Sequence, residues 1–197
     1  MRGNNIAILN KKSCTGCGAC YNICPIKAID MSYDDEGFPC PEIKSTCINC
    51  GKCVDTCPQL KKQSIVLTSA ASYAVQCKEK IREKCSSGGV FGAIAEHVID
   101  IGGVVYGAAF NSDFTKLLHI GIKEKKDLNL IYKSKYLQSE INDSFREIKE
   151  KIESGKMVAF CGCPCQVDGL KSFLGKNYDN LLTIDILCHG VPSPLAY

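Results

Sequence analysis

One spacing of cysteines occurs twice near the start of this 197-residue chain, and it constrains the fold more than any other feature. Cys14-x2-Cys17-x2-Cys20-x3-Cys24-Pro25 recurs as Cys47-x2-Cys50-x2-Cys53-x3-Cys57-Pro58. Three thiolates at this spacing wrap one face of an iron–sulfur cubane. The fourth cysteine lies too far along to close the same site and serves the other cluster. The crossing pattern assigns Cys14, Cys17, Cys20 and Cys57 to one 4Fe–4S cluster. It assigns Cys47, Cys50, Cys53 and Cys24 to a second. Zinc is the rival metal, but a structural zinc site pairs two C-x2–4-C knuckles and has no use for a third cysteine at the same short spacing.

Nine of the fifteen cysteines fall between Cys14 and Cys57. A disulfide scaffold needs an oxidising compartment, and the first ten residues lack the apolar stretch of a signal peptide. No segment reaches the roughly 18 apolar residues of a membrane span. A reduced, cytoplasmic, metal-loaded protein is the expectation. The formal charge of +3 has no basic stripe, which argues against nucleic acid. Two clusters, each leaving a net 2− with its thiolates, would bring that charge to about −1.

The expected organisation is a two-cluster ferredoxin-type region at 1–60, a linker at 61–71 containing a short strand, and a second region at 72–197. The first is read as α+β and ferredoxin-like. The second alternates strand and helix patterns, which argues for an α/β domain with a mixed, partly parallel sheet. Strands are expected at Ser72–Gln76, Val104–Phe110, Leu117–Ile122, Met157–Phe160 and Leu181–Leu187. Helices are expected at Ser87–Ile99, Ser144–Ser154 and Gln166–Leu174. Ser144 and Glu147 offer a capping box, and Gly155 sits where a helix-ending glycine belongs.

Three segments of the second region carry chemistry. Cys85-Ser86-Ser87-Gly88-Gly89 reads either as a helix cap or as a cradle of backbone N–H groups for a phosphate. Lys133-Ser134-Lys135-Tyr136-Leu137-Gln138-Ser139 is either a solvated loop or a polar ligand contact. Cys161-Gly162-Cys163-Pro164-Cys165 and Asp185-Ile186-Leu187-Cys188-His189 each follow an apolar strand, at the end of the sheet where ligands of α/β folds bind. His97 reads as a surface residue and His119 as a strand residue without a partner. His189 is a donor to a cluster sulfur or a bystander. Cys40 and Cys77 read as packing thiols, and Lys123-Glu124-Lys125-Lys126 as a solvated helix start.

The first 60 residues resemble bacterial two-cluster ferredoxins. Taken together, SSGGVFGAIAEHVIDIGGVVYGAAF (86–110), SKYLQS (134–139), PCQVDGLKSFLG (164–175) and CHGVPSP (188–194) resemble the coenzyme F-420 hydrogenase/dehydrogenase beta-subunit family, in its form with a fused ferredoxin. The resemblance implies an iron–sulfur flavoprotein oxidoreductase that holds FAD. Such an enzyme passes electrons between its clusters and a soluble hydride carrier or a redox partner protein. By position it implies flavin contacts at Ser87, Gly88, Gly89, Lys135, Gln138 and Ser139. It also implies a third 4Fe–4S cluster, with Cys165 and Cys188 as two ligands and a later Cys-x2-Cys segment supplying the others. Relatives are about twice as long, so on this reading the chain is a fragment. Cys85, Cys161 and Cys163 stand where relatives commonly carry serine or threonine, and Asn142 where glycine is frequent. Two other functions are compatible with the same parts: an electron-transfer module whose second region only docks a partner, and a ferredoxin-dependent reductase of an organic substrate.

Overall fold

The computed structural model describes residues 4–61 and 70–196. The cysteine repeat is also a structural repeat. Each run turns through a glycine in the left-handed conformation, Gly18 (φ 73) and Gly51 (φ 80), into a five-residue helix. These helices are α1 (Ala19–Ile23) and α2 (Lys52–Thr56). Each ends on the fourth cysteine, Cys24 or Cys57, whose extended backbone (ψ 114 and 118) leads into the following proline. Between the runs, β1 (Ile29–Tyr33) and β2 (Pro39–Ile43) form an antiparallel hairpin with Met31 opposite Pro41. Ile6, Cys20, Ile29, Cys53 and Cys57 are the buried heart of this region, so three of its five core side chains are cysteines.

The second region is a four-stranded mixed sheet in the order β4-β3-β5-β6. Its strands are β3 (Val104–Phe110), β4 (Leu117–Ile122), β5 (Val158–Gly162) and β6 (Leu181–Asp185). β3 and β4 are antiparallel, with Ala108 opposite His119, whereas β5 runs parallel to both β3 and β6. Alternate strand residues face opposite sides of a sheet. Val105, Ala109 and Ala159 therefore pack on one face with Ala95 and Val98 of helix α4 (Val90–Asp100). Val104, Tyr106, Val158 and Phe160 face the other side, where helices α5 (Ser144–Glu153) and α6 (Pro164–Leu174) supply Phe145, Ile148, Val167 and Leu170. A four-residue helix, α3 (Glu79–Arg82), precedes α4. Cys17 and Ala19 of the first region belong to that second core, so the cysteine region sits directly on α5 and α6.

Several expectations are corrected. Ser72–Gln76 forms no strand: Tyr73 and Val75 are exposed, and the segment lies along the loop before α4, where the Cys77 N–H donates to the Gly88 carbonyl. Its alternating pattern finds no sheet edge to join. α4 begins at Val90 rather than at Ser87, because Ser87 (φ 54) and Gly89 (φ 79) are left-handed and cannot start a helix. Ser144 does not cap α5. Asp143 occupies the cap position, and the Ser144 hydroxyl donates to the His119 carbonyl at 3.0 Å. A capping box does form at α6, where the Cys163 N–H donates to Gln166 Oε1 at 3.0 Å. Residues 62–69, most of the expected linker, lie outside the described residues. Gly155 (φ 81) ends α5 as expected, and Asn142 (φ 46) takes the left-handed turn that glycine or asparagine tolerates. Among the described residues no helix is long and apolar enough to cross a membrane.

Candidate metal centres

The eight cysteines of the repeat line two separate hollows. Cys14, Cys17, Cys20 and Cys57 face one, together with Ile6, Leu9, Met31 and Pro41. Cys24, Cys47, Cys50 and Cys53 face the other, beside Ile26, Ala28, Ile29 and Ile48. Each hollow thus takes three thiols from one run and the fourth from the other. All fifteen cysteines are free thiols. Among the described residues no three His, Cys, Asp or Glu side chains converge tightly enough to hold one metal ion; these quartets surround space instead.

The electrostatics of the first hollow are those of crowded thiols in an apolar setting. Burial pushes the Cys17 thiol up to about 11 and Cys20 well above its ordinary value, and Cys14 is raised in the same way. Cys57 adds to the upward push on all three, as negative sulfurs at close quarters repel. Cys53, in the second hollow, is also raised by burial, and Cys47 adds to it. Cationic iron reverses this balance by favouring the thiolate. Backbone N–H groups already point at several sulfurs: Ala28 at Cys24 (3.2 Å) and Asn49 at Cys47 (3.4 Å). Such bonds are a means by which proteins set cluster potentials.

The surroundings differ between the two. Cys17, Cys20 and Cys57 are buried, whereas in the second hollow only Cys53 is; Cys50 is exposed, and Ile48 beside it is 62% exposed. The sheet region grips the first region through long-range bonds. Arg146 donates to the carbonyls of Tyr21 (2.6 Å), Asn22 (2.8 Å) and Cys24 (3.4 Å) and lies over the Tyr21 ring. Ser172 donates to the Thr56 carbonyl (2.6 Å) and accepts from Lys61.

The residues expected to touch flavin occupy varied positions. Ser86 accepts from the Ser134 N–H (2.9 Å) and hydroxyl (3.1 Å), so the glycine-rich loop and the 133–139 segment do meet. Ser87 is exposed, Gly88 half-buried and Gly89 buried. Lys135 donates to the Leu130 and Tyr132 carbonyls, and burial lowers its ammonium to about 8. Gln138 donates to the Thr15 carbonyl in the first cysteine run. Ser139 is buried between His119 Nδ1 (2.9 Å) and Gln166 Nε2 (3.0 Å).

The sheet-end cysteines gather. Cys163 hydrogen-bonds with Cys188, and burial followed by this neighbour pushes its thiol up to about 12. Cys165 is raised by burial and then by Cys188; Cys161, raised to about 11, also lies close to Cys163. His97 and His189 are exposed. His119, read from sequence as partnerless, is the opposite. It bonds Ser139 and the Cys161 carbonyl (3.0 Å), stacks on Phe160 at 5.1 Å, and is held to about 4 by burial. Arg146 and Gly169 also carry the architecture; their partners, around α1 and at Cys17, are too distant in sequence to leave a local pattern.

Residues 13–62 match the family model of the 4Fe-4S dicluster domain, which supports an iron–sulfur electron-transfer role. No curated protein matches the chain.

Proposed function

We propose that this chain is an iron–sulfur oxidoreductase that passes electrons between two 4Fe–4S clusters and a flavin serving a soluble hydride carrier of the deazaflavin type. Cys14, Cys17, Cys20 and Cys57 hold one cluster; Cys24, Cys47, Cys50 and Cys53 hold the other. The observation that carries the cluster assignment is the crossing: each hollow takes its fourth thiol from the opposite run. Four sulfurs spread around a hollow suit a cluster with breadth of its own. A single zinc draws its ligands to about 2.3 Å from one centre.

The flavin part rests on the resemblance of the second region and on the meeting of the glycine-rich loop with the 133–139 segment. Ser87, Gly88 and Gly89 offer backbone and hydroxyl groups there, and Lys135 a cation. A bound flavin supplies the exchange of one hydride for two single electrons, which suits a pair of one-electron clusters. Cys165 and Cys188 are the two ligands this chain would offer to a third cluster.

The test begins with anaerobic reconstitution with iron and sulfide, followed by FAD titration and addition of a reduced deazaflavin. The reading requires about eight iron and eight sulfide per chain from the two N-terminal clusters. It also requires bound FAD and cluster reduction by the deazaflavin. Stoichiometric zinc, or no bound iron, would end it. Clusters without flavin would select a second reading, an electron-transfer module with a docking scaffold. The placement of Gln138 and Ser139 favours that alternative, since the Gln138 side-chain N–H and the Ser139 hydroxyl are engaged in bonds within the chain.

A further inference from the structure

The two cluster sites are unequal in their relation to the sheet region. Gly169 of α6 lies so close to Cys17 that a Cβ placed on it would stand 3.0 Å from Cys17 Cβ, 3.1 Å from its Sγ and 3.3 Å from its carbonyl. Hydrogen bonds reinforce the same junction: Gln138 binds the carbonyl of Thr15, between Cys14 and Cys17, and Ser172 that of Thr56, immediately before Cys57. Cys165 stands four residues before Gly169 and thus on the same face of α6, one turn away. Both hollows are lined by residues of the first region, but the second has Cys50, Ile48 and Ile26 open to solvent. One bond reaches it from the sheet region, the 3.4 Å contact of Arg146 with the Cys24 carbonyl.

We propose that the two clusters work in series. The Cys24/Cys47/Cys50/Cys53 centre is the outer one and exchanges electrons with a protein-sized one-electron carrier. The Cys14/Cys17/Cys20/Cys57 centre is the inner one and hands them across to α6. Gly169 is the positioning residue that lets α6 seat against the ligand Cys17. This rests on the cluster assignment above and adds an order to it. Because Cys50 of the outer centre is exposed while the inner centre's cysteines are buried or half-buried, a bulky donor reaches the outer one first; the hairpin lines the inner hollow and α6 lies against its ligand Cys17. Any side chain at Gly169 occupies the space that Cys17 fills, and the backbone carbonyl there cannot rotate away as a flexible side chain would.

The experiment uses reconstituted full chain whose iron and sulfide content has first been measured, so failure of cluster binding is seen separately and overturns both readings. In Cys24→Ala, which keeps the inner quartet, reduction by a small reduced ferredoxin should slow severalfold, while a small viologen reduces the remaining centre at an unchanged rate. Equal slowing by both reductants, or by neither, would overturn the order. In Gly169→Ala and Gly169→Val, potentiometric EPR should find the inner midpoint shifted, more for valine, and the outer midpoint unchanged. A shift of both or neither overturns the role of Gly169. Limited ferricyanide attack followed by alkylation needs no variant. Mass spectrometry should find Cys47 and Cys50 labelled before Cys14 and Cys17, and the reverse order overturns the proposal.

Discussion

The carbonyl of Thr15, inside the first cysteine run, accepts a 2.9 Å hydrogen bond from Gln138 Nε2, 123 residues further along the chain. Between them sits Gly16, left-handed at φ 64, with no room for a side chain. A Cβ there would meet Gln138 Nε2 at 2.5 Å and the Pro39 carbonyl at 2.8 Å. Gly16→Ala therefore incurs a left-handed penalty of about 1–2 kcal/mol as well as the clash. Because Gly16 lies between Cys14 and Cys17, the expected result is loss of the centre they share. Iron per chain should fall toward half, with the other EPR signal intact.

Cys24→Ala tests the crossing itself. Cys24 follows the first run in sequence but faces the hollow of Cys47, Cys50 and Cys53. The centre built on the second run should be lost while that of the first remains. EPR of the reduced protein distinguishes this from the opposite pattern, which would return Cys24 to its own run.

Arg146→Ala removes a guanidinium that joins α5 to three carbonyls around α1 and pairs with Asp143. Charged hydrogen bonds of this kind contribute roughly 1.5–3 kcal/mol each, and the part-buried carbonyls left behind lose their donor. A destabilisation of about 2–3 kcal/mol is expected. Chemical denaturation followed by circular dichroism checks it; an unchanged midpoint would mean that the two regions do not depend on this bridge.

His119 gives stability a pH dependence. Burial holds its folded value at about 4, below the ordinary value near 6.5, so the unfolded chain binds the extra proton first. Its contribution is fully present above about pH 6.5 and is lost as pH falls toward 4, by on the order of 3 kcal/mol in all. In His119→Gln the slope of stability between pH 7 and 5 should be shallower than in the wild type. Equal slopes would mean that the imidazole is protonated in place.

Much of the sheet region was legible because strand and helix periodicities are local. Val104–Phe110 and Leu117–Ile122 keep the bounds read from sequence, and α5 and α6 move by a residue or two. Which four cysteines face each hollow was legible for a different reason: cluster chemistry dictates spacing as well as residue type, and the repeat carries that spacing. What escaped was tertiary. Tyr73 and Val75 look like strand residues but meet no edge. His119 gains its partners from Ser139, 20 residues away, and from Cys161, 42 away. Gln138 and Ser139 were expected as flavin contacts from the family resemblance; that the Gln138 amide N–H and the Ser139 hydroxyl also bond within the chain could be seen only from their surroundings.

The small heart of the first region is made largely of sulfur ligands, and Cys17 is shared with the core beneath α6. On the proposed cluster assignment, folding of this region and metal loading are expected as a single event. A chain released without iron has too little oil in its first sixty residues to close on, and it leaves the underside of α5 and α6 bare. Iron supply is then expected to set how much intact protein accumulates, well before it sets how fast any electron moves.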